Sequence, residues 1–264
     1  MKVKTEKEIE MLREGGKILF AVLNEVAKRA SPGVRAEELN DLSIKLIKEK
    51  GGTPSFLGYK PSGNGQPYPS ALCVSINNEV VHGLSRSYGG GAKIFKEGDI
   101  VGLDLGVKYK NFYTDMALTV GIGKIDERAE SLIKTAKQAL EEGIKVVKNG
   151  AHLGDIGEAV QTCVEKEGFS VVRKLVGHGV GYSVHERPEI PNWGKKGQGL
   201  VLEEGMVLAL EPMINEGTFD VVLSSDNWTW KTADGSRSAH FEHTILVTNS
   251  GAEILTSLGG ETSK

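Results

Sequence analysis

The feature that most constrains the fold is a pattern that occurs twice, with its copies 117 positions apart in the chain. Three pairs of positions correspond: Gly33 with Gly150, Leu39 with Ile156, and Gly51 with Gly168. In each copy a helix, a glycine-containing turn and a second helix precede several short apolar runs. The repeat predicts two halves, about 5–121 and 122–255, related by a pseudo-twofold axis within a single domain that spans 1–264. Helices followed by strands predict an α+β fold, with two helix pairs covering one face of a mainly antiparallel sheet.

Capping residues and glycines mark the expected helix boundaries. Thr5 with Glu8 three residues later has the pattern of a capping box and predicts the first helix start. Asp155 with Glu158 has the same pattern and predicts the fourth. The predicted helices run from Thr5 to a break at Ser31–Gly33, from about Ala36 to Lys50, over 126–148, and from near Asp155 to Gly168.

Short apolar runs predict the strands. These runs are Ala71–Ile76, Ile100–Val107, Phe112–Val120, Val171–Val176, Met206–Leu210 and Ala239–Val247. We expect the second and third to form a hairpin that turns around Lys108–Asn111.

Composition excludes several classes of protein. The chain has 32 basic and 35 acidic residues and a formal net charge of −3, which does not favour a nucleic-acid-binding protein. It contains no apolar run of the ~18–20 residues that a membrane helix needs. Its two cysteines, Cys73 and Cys163, do not form a CxxC pair, which favours a reducing compartment such as the cytoplasm. No apolar surface patch is visible in the sequence, so we expect a monomer.

Two aspartates lie within apolar runs, Asp104 in VGLDLGV and Asp115 in YTDMALTV. Burying a lone carboxylate is costly. If the hairpin is centred between Tyr109 and Lys110, the two aspartates lie directly opposite each other, with Cβ atoms about 4.5–5.5 Å apart. A cation between them would remove their repulsion. The alternatives are that one carboxylate faces solvent or that the register differs.

The segment GHGVGYSVHERP, residues 177–188, contains His178 and His185. Its glycines have the spacing of a dinucleotide-binding loop, but Pro188 and Pro191 follow, so no helix is expected to hold a pyrophosphate. The glycines instead allow backbone and substrate to approach a histidine closely. Either histidine alone could also be structural.

Two glutamates complete a set of candidate metal ligands. Glu211 ends an apolar run before Pro212, and Glu242 lies in a strand-like run, with His240 two residues earlier on the same face. Either glutamate alone could face water. Together, four acids and one histidine suit divalent ions such as Mn, Fe, Co or Zn. Four carboxylates would balance two such ions, and paired ions activate a bridging water.

The motifs NNEVVHG, VGLDLG, FYTDMALT, GHGVG, VHERP, ALEPM and AHFEHT occur in this order along the chain. In these motifs the chain resembles the methionine aminopeptidases of the pita-bread metallopeptidase family over nearly its whole length. The short spacing from His185 to Glu211 and the lack of a long insertion after Glu211 resemble the type I class. The lack of an N-terminal zinc-binding extension resembles the bacterial short form.

The resemblance implies a pita-bread fold with a curved sheet, and a metallo-aminopeptidase that removes N-terminal methionine, preferentially before a small second residue. It implies two divalent ions, for which Co, Mn, Fe, Zn and Ni are all candidates. The implied ligands are Asp104 for one ion, His178 and Glu211 for the other, and Asp115 and Glu242 as bridges between both. A bridging hydroxide would attack the first peptide carbonyl, with Glu211 as proton acceptor. His185 would hydrogen-bond the developing oxyanion, and His82 would contact the scissile amide nitrogen.

The resemblance also implies a substrate pocket for the methionine side chain. Its lining residues would be Tyr59, Tyr68, Cys73 and Trp228, with His82 and His185 at the reacting bond. A thioether gains favourable contacts with aromatic rings in such a pocket. The sequence departs from the usual family pattern at Phe56, Val81 and Val184, and in a longer loop over Lys60–Pro67. The implied partners are N-terminal Met peptides and nascent chains, and the Lys-rich helices could contact the ribosome.

Three alternatives predict different features. An X-Pro aminopeptidase or prolidase-like enzyme would carry a large N-terminal domain, for which this chain is too short. A non-enzymatic binding protein of the same fold would have lost metal ligands, whereas all five are present here. A two-metal phosphoesterase would place more cations near the ligands, and Arg187 is the only Arg or Lys within these motifs.

Overall fold

A computed structural model describes residues 3–60, 66–86 and 91–258. This part of the chain contains four helices, arranged as two pairs. They are α1 (Glu6–Ala27), α2 (Ala36–Glu49), α3 (Glu127–Lys145) and α4 (Leu153–Lys166). None of these helices is long and apolar enough to cross a membrane. The predicted loop Lys60–Pro67 lies mostly outside the described residues.

Local hydrogen bonds between side chains and the backbone determine where the helices begin. Thr5 caps α1, and Glu8 accepts from the backbone N–H of Thr5, so the predicted capping box is confirmed. The predicted start of α4 near Asp155 is wrong by about half a turn. The Asp155 carboxylate accepts from the backbone N–H of His152, three residues before it, and the helix begins at Leu153, two residues ahead of the predicted start. Asp155 therefore lies inside the first turn, where a carboxylate also stabilises the helix dipole.

The strands form one nine-stranded sheet and two three-stranded sheets. In the first half of the chain they are β1 (Thr53–Pro54), β2 (Leu72–Ile76), β3 (Glu79–Val81), β4 (Ile100–Tyr109) and β5 (Phe112–Gly121). In the second half they are β6 (Ser170–Val171), β7 (Gly177–Gly179), β8 (Glu186–Ile190), β9 (Val207–Leu210), β10 (Met213–Asn215), β11 (Val221–Leu223), β12 (Trp230–Thr232), β13 (Ser238–His240), β14 (Glu242–Val247) and β15 (Ala252–Ile254).

The large sheet has the order β1-β4-β5-β14-β9-β7-β8, with β2 added to β4 and β15 to β14. Every strand pair in the described ranges is antiparallel. Two predicted strands were too long. The run Val171–Val176 is a strand only over β6, and the run Ala239–Val247 is divided at Phe241 into β13 and β14, which belong to different sheets.

The predicted register of the central hairpin is also wrong. Tyr109 pairs with Phe112, so the turn consists of Lys110 and Asn111, which have φ values of 44° and 71°. Two central residues with positive φ are typical of the tight turns whose twist matches that of paired strands. Asp104 therefore lies opposite Ala117, and Asp115 lies opposite Gly106. The two aspartates are diagonal neighbours on one face and not directly opposed.

The second helix of each pair has the spacing of the sequence repeat. α2 and α4 are both 14 residues long, and their bounds differ by the same 117 positions as the sequence pattern. Gly33 and Gly150 have φ values of 88° and 84°, and Gly51 and Gly168 have φ values of 76° and 73°. A left-handed conformation favours glycine at such turns. The matched glycines therefore perform the same task in each half, ending one helix or beginning the next.

The helices cover one face of the large sheet. On β4 the odd-numbered residues 101–107 are buried against α1 and α2, whereas Asp104 and Gly106 point to the opposite face. On β14, Ile245 and Val247 belong to a second apolar core beneath α3 and α4. Glu242 points away from that core because it differs from both by an odd number of residues. The α+β architecture predicted from the repeat is confirmed, and the acidic residues lie on the sheet face that the helices leave open.

Candidate metal centre and substrate cavity

A cavity on the open face of the sheet encloses about 480 Å³, including its mouth. It is lined by Phe56, Tyr59, Tyr68, Cys73, His82, Asp104, Asp115, His178, His185, Glu211, Trp228 and Glu242. Eleven of these twelve were predicted as site residues from the sequence, and Phe56 was noted only as a departure. The structure thus brings every predicted site residue to one place, although their individual roles stay predictions.

The carboxylates converge from four strands. Asp104 lies opposite Ala117 on one side, and Glu242 lies opposite Ala117 on the other. Ala117 therefore separates the two acids across three adjacent strands, and its small side chain leaves the space between them open. Asp115 lies on β5 two residues before Ala117, and Glu211 follows the last residue of β9. Ligand atoms of Asp115, His178 and Glu242 all lie within 4.8 Å of one another.

The charges of the four acids are not compensated by the protein. Burial raises the pKa of Asp104 to about 7. Burial and neighbouring carboxylates raise the pKa values of Asp115, Glu211 and Glu242 well above their usual range. Asp104 Oδ1 and Glu242 Oε1 are buried without a hydrogen-bond partner. Buried oxygens that lack donors and repel one another fit divalent cations, which supply the missing positive charge.

His178 is oriented as a nitrogen ligand. Its Nδ1 lies 2.9 Å from the carbonyl oxygen of Gly179, so we assign the proton to Nδ1 and the lone pair to Nε2. Nε2 lies 3.4 Å from Oε1 of Glu211. Burial lowers the pKa of His178 to about 3, which keeps the ring neutral at physiological pH. A neutral imidazole whose free nitrogen faces carboxylates is the form that binds a metal ion.

Two further histidines lie beside this cluster. The rings of His178 and His185 are 4.4 Å apart between centroids, and His185 Nδ1 lies 2.7 Å from the hydroxyl of Tyr59. Desolvation lowers the pKa of His185 and lowers that of His82 to about 4. His82 has a φ of 57°, a strained conformation for a residue that is not glycine. The next residue, Gly83, lies against the backbone of Val74, and a Cβ there would overlap it.

The other end of the cavity is apolar. Phe56, Tyr68, Cys73 and Val184 form a buried cluster against which Tyr59 and Trp228 pack. Tyr68 and Trp228 meet edge to face with centroids 5.1 Å apart, and the Tyr68 hydroxyl donates to the Gly83 carbonyl at 2.9 Å. Cys73 pairs directly with Asp104 across β2 and β4, so the apolar end adjoins the carboxylates. Burial raises the pKa of Cys73, which is a free thiol and stays protonated.

His240 was assigned no role from the sequence. It ends β13 and is 3 % exposed, and its Nε2 lies 3.7 Å from Oε2 of Glu211. Burial lowers its pKa to about 3. The His240-x-Glu242 spacing placed both residues on one face of a single strand, and the break at Phe241 invalidates that argument. The His240 ring nevertheless lies beside the carboxylate cluster, next to the side chain of Glu211.

Comparison with known proteins identifies the family to which the chain belongs. A model of metallopeptidase family M24 matches residues 10–249. The chain belongs to metallopeptidase family M24. Membership makes the chain a divalent-metal-dependent peptidase, which agrees with the buried carboxylates. The dinucleotide-loop interpretation of residues 177–181 is excluded, because β7 is followed by β8 and not by a helix.

Relatives within the M24 family match over nearly the whole length of both chains. The methionine aminopeptidase of Clostridium perfringens is 44% identical over 96% of this chain and 98% of its own. Methionine aminopeptidase 1 of Bacillus subtilis is 42% identical with the same coverage. These matches confirm the resemblance inferred from the motifs.

Solved structures of the M24 fold agree. The methionine aminopeptidase of Thermotoga maritima superposes with a TM-score of 0.91 at 46% identity, covering 97% of this chain and 99% of that one. An X-Pro aminopeptidase from the same species has a TM-score of 0.73 at 21% identity and is covered over only 62% of its length. The second likeness shows the shared pita-bread fold alone and does not favour the X-Pro alternative.

Proposed function

We propose that the chain is a methionine aminopeptidase that removes N-terminal methionine from nascent proteins and peptides, preferentially when the second residue is small. The observation that carries the proposal is the cavity itself. One end of the cavity is formed by uncompensated carboxylates and by a histidine that is oriented as a metal ligand. The other end is an apolar cluster that includes aromatic rings. Two further histidines lie beside the carboxylates. An unbranched thioether side chain fits the apolar end.

The donor set supports a centre for two divalent ions. Asp104 would hold one ion, His178 and Glu211 the other, and Asp115 and Glu242 both. Four carboxylates balance the charge of two such ions, and the ions supply an activated water and polarisation of the peptide carbonyl when bound. Oxygen ligands with one imidazole suit Co, Mn, Fe, Zn or Ni.

The surrounding residues supply proton transfer and orientation. Glu211 accepts a proton at a carboxylate oxygen, which its raised pKa favours. The Tyr59 hydroxyl lies 2.7 Å from Nδ1 of His185. We assign the hydroxyl as the donor, which places the ring proton on Nε2, where it would be donated to the carbonyl oxygen as negative charge develops there. His82 would contact the nitrogen of the scissile amide.

The cellular setting is also a proposal. Two free cysteines and the absence of a membrane-spanning helix in the described ranges are consistent with a cytoplasmic enzyme that acts on chains leaving the ribosome. We propose that it acts as a monomer, because the cavity is completed by residues of one chain.

Peptide assays test the activity directly. Metal-free protein reconstituted separately with each candidate metal should release Met from Met-Ala-Ser and not from Met-Lys-Ser, since the proposed enzyme prefers a small second residue. Release of the first residue from X-Pro peptides without release of Met would overturn the proposal. Metal analysis of the reconstituted protein should give up to two ions per chain, and a value well under one would favour a binding protein without activity.

A further inference from the structure

A surface cleft extends from the cavity across the neighbouring loop. It shares His82, His178, His185 and Glu211 with the cavity and continues along residues 173–177 and 186–191 to Trp193. The cleft contains about 1590 Å³ of space open to solvent. If Met occupies the apolar end of the cavity, the peptide beyond the cleaved bond leaves past the shared histidines. The cleft offers that segment a continuous path.

Two cations of this cleft have no acidic partner in the part of the chain that the structure describes. Among the described residues, no carboxylate lies within 4 Å of Arg173 or Lys174. The guanidinium of Arg173 lies 4.3 Å from the ring centroid of Phe219, and Nζ of Lys174 lies 4.6 Å from that of Trp230. Both side chains are exposed. Contacts with aromatic faces hold the two cations in place and leave their hydrogen-bond donors available.

Apart from Glu211, which the cleft shares with the cavity, the acids that line the cleft are already paired. Glu186 lies 3.1 Å from Nζ of Lys4, and Glu189 lies 3.2 Å from a guanidinium nitrogen of Arg187. The unpaired charge along the cleft is therefore positive. This contrasts with the net charge of −3 of the chain and with the carboxylates at the inner end of the path.

The positions of these cations set which substrate residues they can reach. Arg173 and Lys174 precede His178 by five and four residues, so each lies at most about 17 Å away along an extended chain. A peptide leaving the histidines in an extended conformation covers that distance with its third to sixth residues.

We propose that Arg173 and Lys174 bind acidic side chains at about the third to sixth positions of the substrate, so that the enzyme prefers peptides with acidic residues after a small second residue. This inference rests on the proposed function and specifies its substrate class. Arg presents a planar fork of donors that matches a carboxylate, and Lys adds a point charge. Because the cations are exposed, the effect is moderate and is screened by salt.

The test compares three peptides that differ only in the charge of the downstream segment: Met-Ala-Ala-Glu-Glu-Ala, Met-Ala-Ala-Gln-Gln-Ala and Met-Ala-Ala-Lys-Lys-Ala. At low ionic strength we expect kcat/KM for the Glu peptide to exceed that for the Lys peptide by about tenfold, with the Gln peptide between them. At high salt the ratio should fall towards one.

Variants identify the residues responsible. In the Arg173→Gln/Lys174→Gln double variant the Glu-to-Lys ratio should fall to about twofold or less at low salt. The matched control is Arg187→Gln, which removes a cation of the same cleft that is already paired with Glu189. In the control the ratio should stay within about twofold of that of the wild type.

Each negative result has a distinct meaning. Equal kcat/KM for the three peptides, with Met released from all of them, would overturn this inference and leave the proposed function intact. A wild-type preference that persists in the double variant, or that is lost in the Arg187→Gln control, would also overturn the assignment. Failure to release Met from any peptide would overturn the proposed function and this inference with it.

Discussion

Nζ of Lys4 lies 3.1 Å from Oε2 of Glu186, and the lysine side chain is fully buried. The other carboxylate oxygen of Glu186 accepts from the backbone N–H groups of Tyr182 and Ser183. Glu186 directly follows His185 in the chain. The ion pair therefore ties the segment before α1 to the loop that carries a candidate catalytic histidine.

Removing one partner of this pair should destabilise the fold. Lys4→Met leaves the Glu186 carboxylate without its cation, and we expect the free energy of unfolding to fall by about 3 kcal/mol. The double variant Lys4→Met/Glu186→Gln should recover part of this loss, because it removes the unpaired charge. Urea denaturation measures both effects. The control Lys7→Met changes an exposed lysine of α1 and should unfold like the wild type. A Lys4→Met midpoint equal to that of the wild type would show that the pair does not stabilise the fold.

Two adjacent glycines of α1 should respond in opposite ways to alanine. A Cβ at Gly16 would overlap the backbone carbonyl of Leu255, whereas a Cβ at Gly15 would meet Cβ of Tyr109 at an ordinary 3.4 Å. We expect Gly16→Ala to lower the free energy of unfolding by about 2 kcal/mol or more, because backbone atoms must shift. Gly15→Ala should be neutral or stabilise by up to about 1 kcal/mol through helix propensity. Equal melting temperatures for the two variants would contradict this close approach.

Asp115→Asn tests the metal centre. We expect lower metal content and loss of turnover, because the variant removes one of four converging carboxylates. In metal-free protein the same change should leave stability unchanged or raise it, since it relieves repulsion between buried acids. Metal analysis and chemical denaturation after chelation measure the two effects. Asp41→Asn, at an exposed carboxylate of α2, is the control. Full activity of Asp115→Asn would refute the ligand assignment.

The pH dependence of stability should change sign when metal is removed. Without metal, the pKa of Asp104 is raised to about 7, above its unfolded value of about 3.9. The folded state then binds more protons than the unfolded state, so stability falls as pH rises from about 4 to about 7. With metal bound, protons compete with the ions, so stability should rise over the same interval. Denaturation curves at several pH values, with and without chelator, provide the measurement. Parallel pH trends in the two forms would argue against a buried carboxylate centre.

The Tyr59 hydroxyl should affect rate more than binding. Tyr59→Phe removes the 2.7 Å hydrogen bond to Nδ1 of His185, so the ring is no longer held in one tautomer. We expect kcat to fall about five- to tenfold, the equivalent of one hydrogen bond, with little change in KM or metal content. Tyr109→Phe at the end of β4 is the control. A rise in KM at constant kcat would place Tyr59 in substrate binding alone.

The four acids, His178 and His185 could be singled out because they occupy unusual positions in the sequence, whereas His82 and the substrate-pocket residues were implied only by the family resemblance. A carboxylate within an apolar strand is unfavourable unless it has a chemical role, and so is a glutamate just before a proline that ends such a strand. Both features can be seen in the sequence itself. The repeat likewise predicted the layers, since glycines at matched positions require the same turns. These signals depend on residue type and spacing, which the sequence shows directly.

The features that were predicted wrongly from the sequence are those that depend on contacts with neighbouring strands. The hairpin register depended on whether the turn was made by Tyr109 and Lys110 or by Lys110 and Asn111, a shift of one position that changes every cross-strand partner. The division at Phe241 arises because the chain passes from one sheet to another, which apolar patterning does not report. Phe56 lines the cavity through packing with Tyr68, Cys73 and Val184, which are distant in the sequence.

The seam between β5 and β14 joins the two halves of the large sheet through only two residue pairs, Glu242 with Ala117 and His243 with Met116. Two of the four acids belong to the first half of the chain and two to the second. Neither half alone therefore holds a complete centre. An ion shared by both sides would cross-link them beside this short pairing, so loading with metal would strengthen the junction of the halves.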